Sequence, residues 1–119
     1  MPAPSPLMIT TQAVQRLVKE EKYYRKELAQ QSERVQKLEK DLQSSTDQNA
    51  EFVLKQERQA MQETRGVFAP LHTRIAEAVE RLEEQIATAE SESGPADELK
   101  KASEALELGK GLEEPPAAA

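Results

Sequence analysis

The stretch VQRLVKEEKYYRKELAQQSERVQKLEKDL, residues 14–42, carries one unbroken heptad repeat. One seam position holds Val14, Glu21, Leu28, Val35 and Leu42, and the other holds Leu17, Tyr24, Gln31 and Leu38. This spacing predicts a long helix over about residues 11–43 that packs along a neighbour through one stripe. Glu21 and Gln31 interrupt the apolar seam, and polar groups there lower stability while fixing register or partner.

A second heptad helix follows a turn. The cap and turn formers of residues 44–49 end the first pattern and predict a reversal of the chain. Apolar residues then recur at intervals of seven, which predicts a helix over about residues 47–90: Leu54, Met61, Phe68, Ile75, Leu82 and Ala89. Pro70 lies inside this pattern and predicts a kink near residues 66–70. Two separate helices are the alternative, but the register continues across the proline, which favours one kinked helix.

The C-terminal part of the pattern predicts a short third helix. Residues 91–95 form the second connection, and a weaker repeat over about residues 95–108 follows it. Short connections make neighbouring helices antiparallel. The sequence therefore predicts an all-α, elongated, antiparallel three-helix bundle of coiled-coil character over residues 11–109. Residues 28–67 should form a two-helix arm, and residues 1–10 and 110–119 should be disordered.

Composition narrows the possible functions. The 119 residues include 32% charged side chains, no cysteine and four aromatic rings, and the net charge is −6. This charge argues against generic binding to nucleic acid, although residues 14–26 are locally basic. The start lacks the features of a secretory signal, and no stretch is apolar enough for a membrane span. We expect a cytoplasmic protein that binds neither nucleic acid nor membrane.

Residues suited to catalysis are scarce. His72 is the sole histidine, so one chain cannot build a histidine triad or a paired-imidazole metal site. On a helix after Pro70, a surface or boundary position is the simplest interpretation of His72. The four scattered glycines form no phosphate-binding loop. We expect no enzyme activity, no cofactor and no metal.

Two segments resemble the tubulin-binding cofactor A family, also called tubulin-specific chaperone A. The first is RLVKEE at residues 16–21, followed by Tyr24, by KE at residues 26–27 and by QQ at residues 30–31. The second is MQETR at residues 61–65, which runs on to a proline and to RI at residues 74–75. With the helix lengths, the resemblance covers about residues 11–108. The sequence departs from the family in its proline-rich start, in its EEPPAAA tail and in the position of the proline, shifted by about one residue.

The resemblance implies a rod-like three-helix bundle and a chaperone function. It implies a cytoplasmic, cytoskeleton-associated protein that captures β-tubulin folding intermediates from the cytosolic chaperonin and holds them for assembly of the α/β-tubulin heterodimer. Other tubulin-folding cofactors would be indirect partners, no nucleotide or metal would be required, and the molecule would be a monomer or a homodimer. As a hypothesis, the contact residues are Arg16, Lys19, Lys22, Tyr23, Arg25 and Lys26 on the first helix, with Phe52, Val53 and Arg65 on the second.

Other interpretations of the same residues remain open. The basic group on the first helix is also explained by intrahelical pairing with nearby glutamates, and Tyr23 by packing over the rim of the bundle. The main alternative function is a structural coiled-coil scaffold or tethering module. Pro70, the Gly94-Pro95 turn and the short third helix disfavour a continuous rod of that kind.

Overall fold

The computed structural model describes residues 3–44 and 47–116 of the chain. Within them it contains three α-helices and no β-strand: α1 spans Pro6–Leu42, α2 spans Gln48–Ser91 and α3 spans Ala96–Lys110. The predicted all-α bundle is thereby confirmed. Parts of the segments expected to be turn or disordered, namely residues 1–2, 45–46 and 117–119, lie outside the described residues.

Helix α1 begins five residues before the expected start at Thr11. The Ser5 hydroxyl accepts a hydrogen bond from the Met8 amide at 3.1 Å, and Pro6 occupies the first helical position, where its missing N–H costs nothing. The Ser5 hydroxyl also donates to Glu98 Oε1 at 2.6 Å. Residues 6–10, expected to be disordered, therefore belong to α1.

Thr10 and Thr11, at the expected start of the helix, lie inside α1. Both are buried, and the Thr11 hydroxyl donates to the Leu7 carbonyl one turn earlier, at 2.7 Å. This local bond satisfies the hydroxyl inside the core, so the side chain supports packing and caps nothing.

Helix α2 continues through Pro70 as one element. Proline lacks an N–H, so the backbone hydrogen bond that residue 70 would donate to the Gly66 carbonyl is missing. The prediction of one helix, and not two separate helices, agrees with the unbroken span of α2.

The chain divides into two compact units. The three-helix unit consists of Met1–Glu21 with Pro70–Glu114, and the two-helix unit consists of Lys22–Ala69 with Pro115–Ala119. The two-helix unit includes residues 28–67, for which the heptad pattern predicts a two-helix arm.

The three-helix unit has a dense apolar core. Its fully enclosed side chains include Val14 of α1 and Leu82 of α2, and α3 contributes Ala102 and Ala105, both with no exposed surface. Small residues let α3 approach closely: a Cβ added at Gly109 would lie 2.6 Å from Val79 Cγ2. Glycine at position 109 is therefore required by packing.

The α2–α3 connection ends α2 in a left-handed residue. The Gly94 amide donates to the Ala89 carbonyl at 2.8 Å, and the Ser93 amide donates to the Glu90 carbonyl at 3.2 Å. This pair of bonds defines a Schellman turn, with Ser93 at φ 55° in the position usually taken by glycine. Pro95 occupies the N-cap of α3.

The two-helix unit has a thinner core. Its buried described side chains are Gln31, Val35, Leu54, Thr64 and Phe68. The helices run antiparallel, because Arg25 of α1 lies over Phe68 of α2 while Arg34, further along α1, pairs with the earlier residue Glu57. A second ion pair joins Arg58 to Glu39 at 3.0 Å. Gln31 Oε1 is buried and has no hydrogen-bond partner among the described residues.

Candidate partner-binding surfaces

Most of the basic side chains predicted as contacts on α1 are exposed. Arg16, Lys19, Lys22 and Lys26 all face solvent. Arg25 is half-buried, and its guanidinium lies 5.7 Å from the centre of the Phe68 ring, within the range of a cation–π interaction. Arg25 therefore has a packing role in the two-helix unit in addition to any role at a surface.

Tyr23 is an exposed aromatic side chain, with 61% of its surface accessible. Its ring meets the edge of the Tyr24 ring at a centroid distance of 5.3 Å and an interplanar angle of 77°. A hydrogen bond to the Glu27 carboxylate, and the charge of that group, raise the pKa of the Tyr23 phenol. The phenol is thus neutral at physiological pH and offers an amphipathic contact surface.

A second exposed apolar group lies at the start of α2. Phe52 is 58% exposed and Val53 is 40% exposed, whereas the next residue, Leu54, is buried. Phe52 also lines a cleft whose wall includes Leu42 and Lys55. Phe52 and Val53 together form a small exposed apolar group that is accessible to a partner. Arg65, the remaining predicted contact, is half-buried on α2.

The predicted contacts divide between the two units. Arg16 and Lys19 belong to the three-helix unit, and the other seven belong to the two-helix unit. Within the two-helix unit the contacts separate again, because Arg25 lies over Phe68 whereas Phe52 shares a cleft with Leu42, further along α1. The structure therefore does not bring the nine predicted residues together into one surface.

Two arginines that were not predicted as contacts lie near Arg16. Arg74 and Arg81 of α2 line the same cleft of the three-helix unit as Arg16 of α1. Arg74 and Arg81 are seven residues apart, so the sequence indicates that they lie on the same side of α2. Only the packing of α1 against α2 shows that Arg16 lies beside them.

His72 also has a partner that the sequence did not indicate. Its Nε2 lies 2.7 Å from Oε2 of Glu21, a seam residue with no exposed surface. A buried carboxylate requires hydrogen-bond partners, and His72 supplies one from α2. The histidine is accordingly half-buried and tied to the core of the three-helix unit.

The described residues contain neither a metal-binding cluster nor a membrane-spanning helix. In residues 3–44 and 47–116, no group of three or more histidine, aspartate or glutamate side chains could hold a metal ion. None of the helices in that part of the chain is long and apolar enough to cross a membrane.

The fold and these surfaces define an all-α helical-bundle protein with exposed charged and aromatic side chains along its helices. Comparison with known proteins gives the particular family. The chain belongs to the family described as Tubulin binding cofactor A, whose sequence profile matches residues 2–106. A relative named Tubulin-specific chaperone A, from Saccharomyces cerevisiae, is 36% identical over 86 residues, covering 72% of this chain and 76% of the relative. No solved structure matches the chain significantly.

Proposed function

We propose that this protein is a tubulin-folding cofactor that captures β-tubulin folding intermediates after their release from the cytosolic chaperonin. It holds them until they enter the route to the α/β-tubulin heterodimer, where other folding cofactors act. The observation that carries the proposal is the family match over residues 2–106, which includes α1, α2 and most of α3.

The proposed mechanism is non-enzymatic holding in the cytoplasm. Exposed apolar groups, chiefly Tyr23, Phe52 and Val53, cover a surface of β-tubulin that later pairs with α-tubulin. Burial of apolar surface contributes about 25 cal/mol per Å², which drives capture without nucleotide or metal.

Charged residues on α1 set orientation and allow release. Arg16, Lys19, Lys22 and Lys26 provide local positive charge on a chain whose net charge is −6. Charged rims mainly affect the association rate and specificity, and salt weakens them. A holding protein with this division of roles binds through apolar contact and still lets its cargo go.

The experiment measures suppression of aggregation when β-tubulin is diluted from denaturant. We expect the wild-type protein to suppress light scattering and the double variant Phe52→Ser with Val53→Ser to lose most of this activity. Leu108→Ser is the matched control, because Leu108 is 48% exposed but lies in the three-helix unit. Equal activity of the wild type and the double variant would show that these two residues do not contact β-tubulin.

A second variant tests the basic group. Charge reversal of Arg16, Lys19 and Lys22 together should weaken capture in a pull-down, and raised salt should weaken wild-type capture in the same way. Capture that is unchanged by both treatments would show that apolar contact alone holds the cargo.

A further inference from the structure

A cleft in the three-helix unit combines an apolar floor with a charged rim. Leu17 of α1 and Ala78 of α2, both buried, form part of the floor. The rim consists of three arginines and two glutamates: Arg16, Glu20, Arg74, Glu77 and Arg81. The rim is therefore locally positive on a chain that is acidic as a whole.

The three arginines of this cleft lack ion-pair partners among the described residues. In the two-helix unit, by contrast, Arg34 pairs with Glu57 and Arg58 pairs with Glu39. Glu20 follows Arg16 by four residues, and Arg81 follows Glu77 by four, yet neither pair closes to 4.0 Å. The guanidinium groups of the cleft are thus exposed donors with unused hydrogen-bonding capacity.

The arrangement suits carboxylates that arrive on an extended or helical segment. Arg74 and Arg81 lie two turns apart, or about 10.5 Å along α2, and Arg16 faces the same cleft from α1. Each guanidinium presents a planar fork that can bind a carboxylate through two parallel hydrogen bonds. Several such contacts along one cleft would select a segment with more than one acidic side chain.

We propose that this cleft binds an acidic segment of the partner protein, with the carboxylates of the segment on Arg16, Arg74 and Arg81. The identity of that partner rests on the proposed function, whereas the cleft's preference for acidic peptide follows from its own charges. Glu20 and Glu77 restrict the register, because a carboxylate placed beside either one is repelled. The net charge of −6 disfavours a long polyanion such as nucleic acid, because the part that extends beyond the cleft would be repelled by the acidic remainder of the chain.

The first experiment uses a fluorescein-labelled glutamate-rich peptide, with its glutamine counterpart as a neutral control, at low salt. Replacing all three arginines by glutamine should weaken binding of the acidic peptide at least tenfold. Replacing Glu20 and Glu77 by glutamine should strengthen it severalfold. Circular dichroism verifies that each variant is folded.

A matched control removes the same charge elsewhere. The triple variant Lys37→Gln, Lys100→Gln and Lys101→Gln also loses three positive charges, all from exposed positions outside the cleft. We expect its affinity for the peptide to fall no more than threefold. Equal losses of peptide affinity in the two triple variants would overturn the site. A single-stranded oligonucleotide whose affinity falls more than that of the peptide when the arginines are replaced would also overturn it.

The second experiment repeats the comparison with β-tubulin. If the wild type and the lysine variant capture β-tubulin and the arginine variant captures it at least tenfold more weakly, the cleft is part of the interface. If all three capture it equally, the assignment of the cleft fails and the proposed function stands. If the wild type captures none, the proposed function itself fails, and the assignment of the partner fails with it.

Discussion

The two units differ in how their helices are held together. The three-helix unit contains most of the buried described side chains, including the enclosed Val14 and Leu82, and leaves the arginines of one cleft without ion pairs. Ion pairs join helices in both units, Lys110 to Glu83 in the first and Arg34 to Glu57 in the second. The two-helix unit buries fewer described side chains and exposes Phe52 and Val53 side by side, whereas the exposed large apolar side chains of the first unit, Ile9 and Leu108, lie on different helices. Two helices enclose less core than three, so the smaller buried set of the second unit follows from its architecture.

This difference suggests that the two units have different roles. The unit with the larger core carries the arginine cleft, which suits charged contacts. The unit with the smaller core exposes Phe52 and Val53, which the proposed function uses as apolar contacts. Four predictions, ordered from the largest expected effect to the smallest, test this difference between the units.

Truncation of a core leucine should have the largest effect in the three-helix unit. Leu82→Ala should lower the free energy of unfolding by about 2–5 kcal/mol, because it leaves a cavity around a side chain that is fully enclosed. Leu38→Ala, at a half-buried position of the two-helix unit, should cost about 1 kcal/mol. Urea denaturation followed by circular dichroism measures both values, and equal costs would contradict the difference in packing.

Replacing a glycine by alanine should change the free energy of unfolding in opposite directions in the two units. Gly109→Ala should destabilise by about 1–3 kcal/mol, since the new methyl group meets Val79 at 2.6 Å. Gly66→Ala should stabilise by up to about 1 kcal/mol, because alanine favours the helix and its methyl group would meet nothing within 4 Å. Thermal and urea unfolding give both signs; a destabilised Gly66→Ala variant would show that α2 needs glycine near Pro70 for another reason.

Loss of a hydrogen bond to a buried group should lower the free energy of unfolding more than loss of an exposed ion pair. His72→Ala removes a partner of the enclosed Glu21 carboxylate and should cost about 1–3 kcal/mol. Arg34→Ala breaks an ion pair with exposed or half-buried members and should cost at most about 1 kcal/mol. Comparable losses in the two variants would indicate that the remaining contacts of Glu21 compensate for the histidine.

The smallest effect concerns the exposed Tyr23 phenol. Its pKa is raised above 10.0, first by the hydrogen bond to Glu27, so the phenolate should form at a higher pH than in an ordinary tyrosine. A raised pKa stabilises the folded state at pH values below the ordinary pKa, and this contribution is lost as pH rises through the folded value. Glu27→Ala, which removes both the acceptor and the charge, should move the ultraviolet titration midpoint of Tyr23 back towards 10.0, and an unchanged midpoint would exclude the bond in solution.

Much of the fold follows from the sequence because heptad periodicity is a local signal. The seam residues Val14, Leu17, Leu54 and Phe68 are buried as the pattern predicts, and so are the polar interruptions Glu21 and Gln31. The early start of α1 was missed although Ser5 and Pro6 are a local signal, an N-cap hydroxyl followed by proline at the first helical position. Residues 6–10 precede the heptad repeat, so periodicity alone did not include them in the helix.

The candidate surfaces were less predictable than the fold. Exposed basic residues on α1 are visible as a charge cluster, but the cleft around Arg16 requires α2 to place Arg74 and Arg81 beside it. The Glu21–His72 contact joins residues on two helices in the same way. Composition and spacing identify which residues are charged, and only packing shows which of them meet.

The most direct test of the account is capture of β-tubulin by the purified protein. β-Tubulin is diluted from denaturant into the protein without nucleotide, and size-exclusion chromatography with light scattering measures the mass of any complex, with α-tubulin treated identically. The account predicts a one-to-one complex with β-tubulin and little complex with α-tubulin. Aggregation of β-tubulin with no complex, or equal capture of both tubulins, would contradict it.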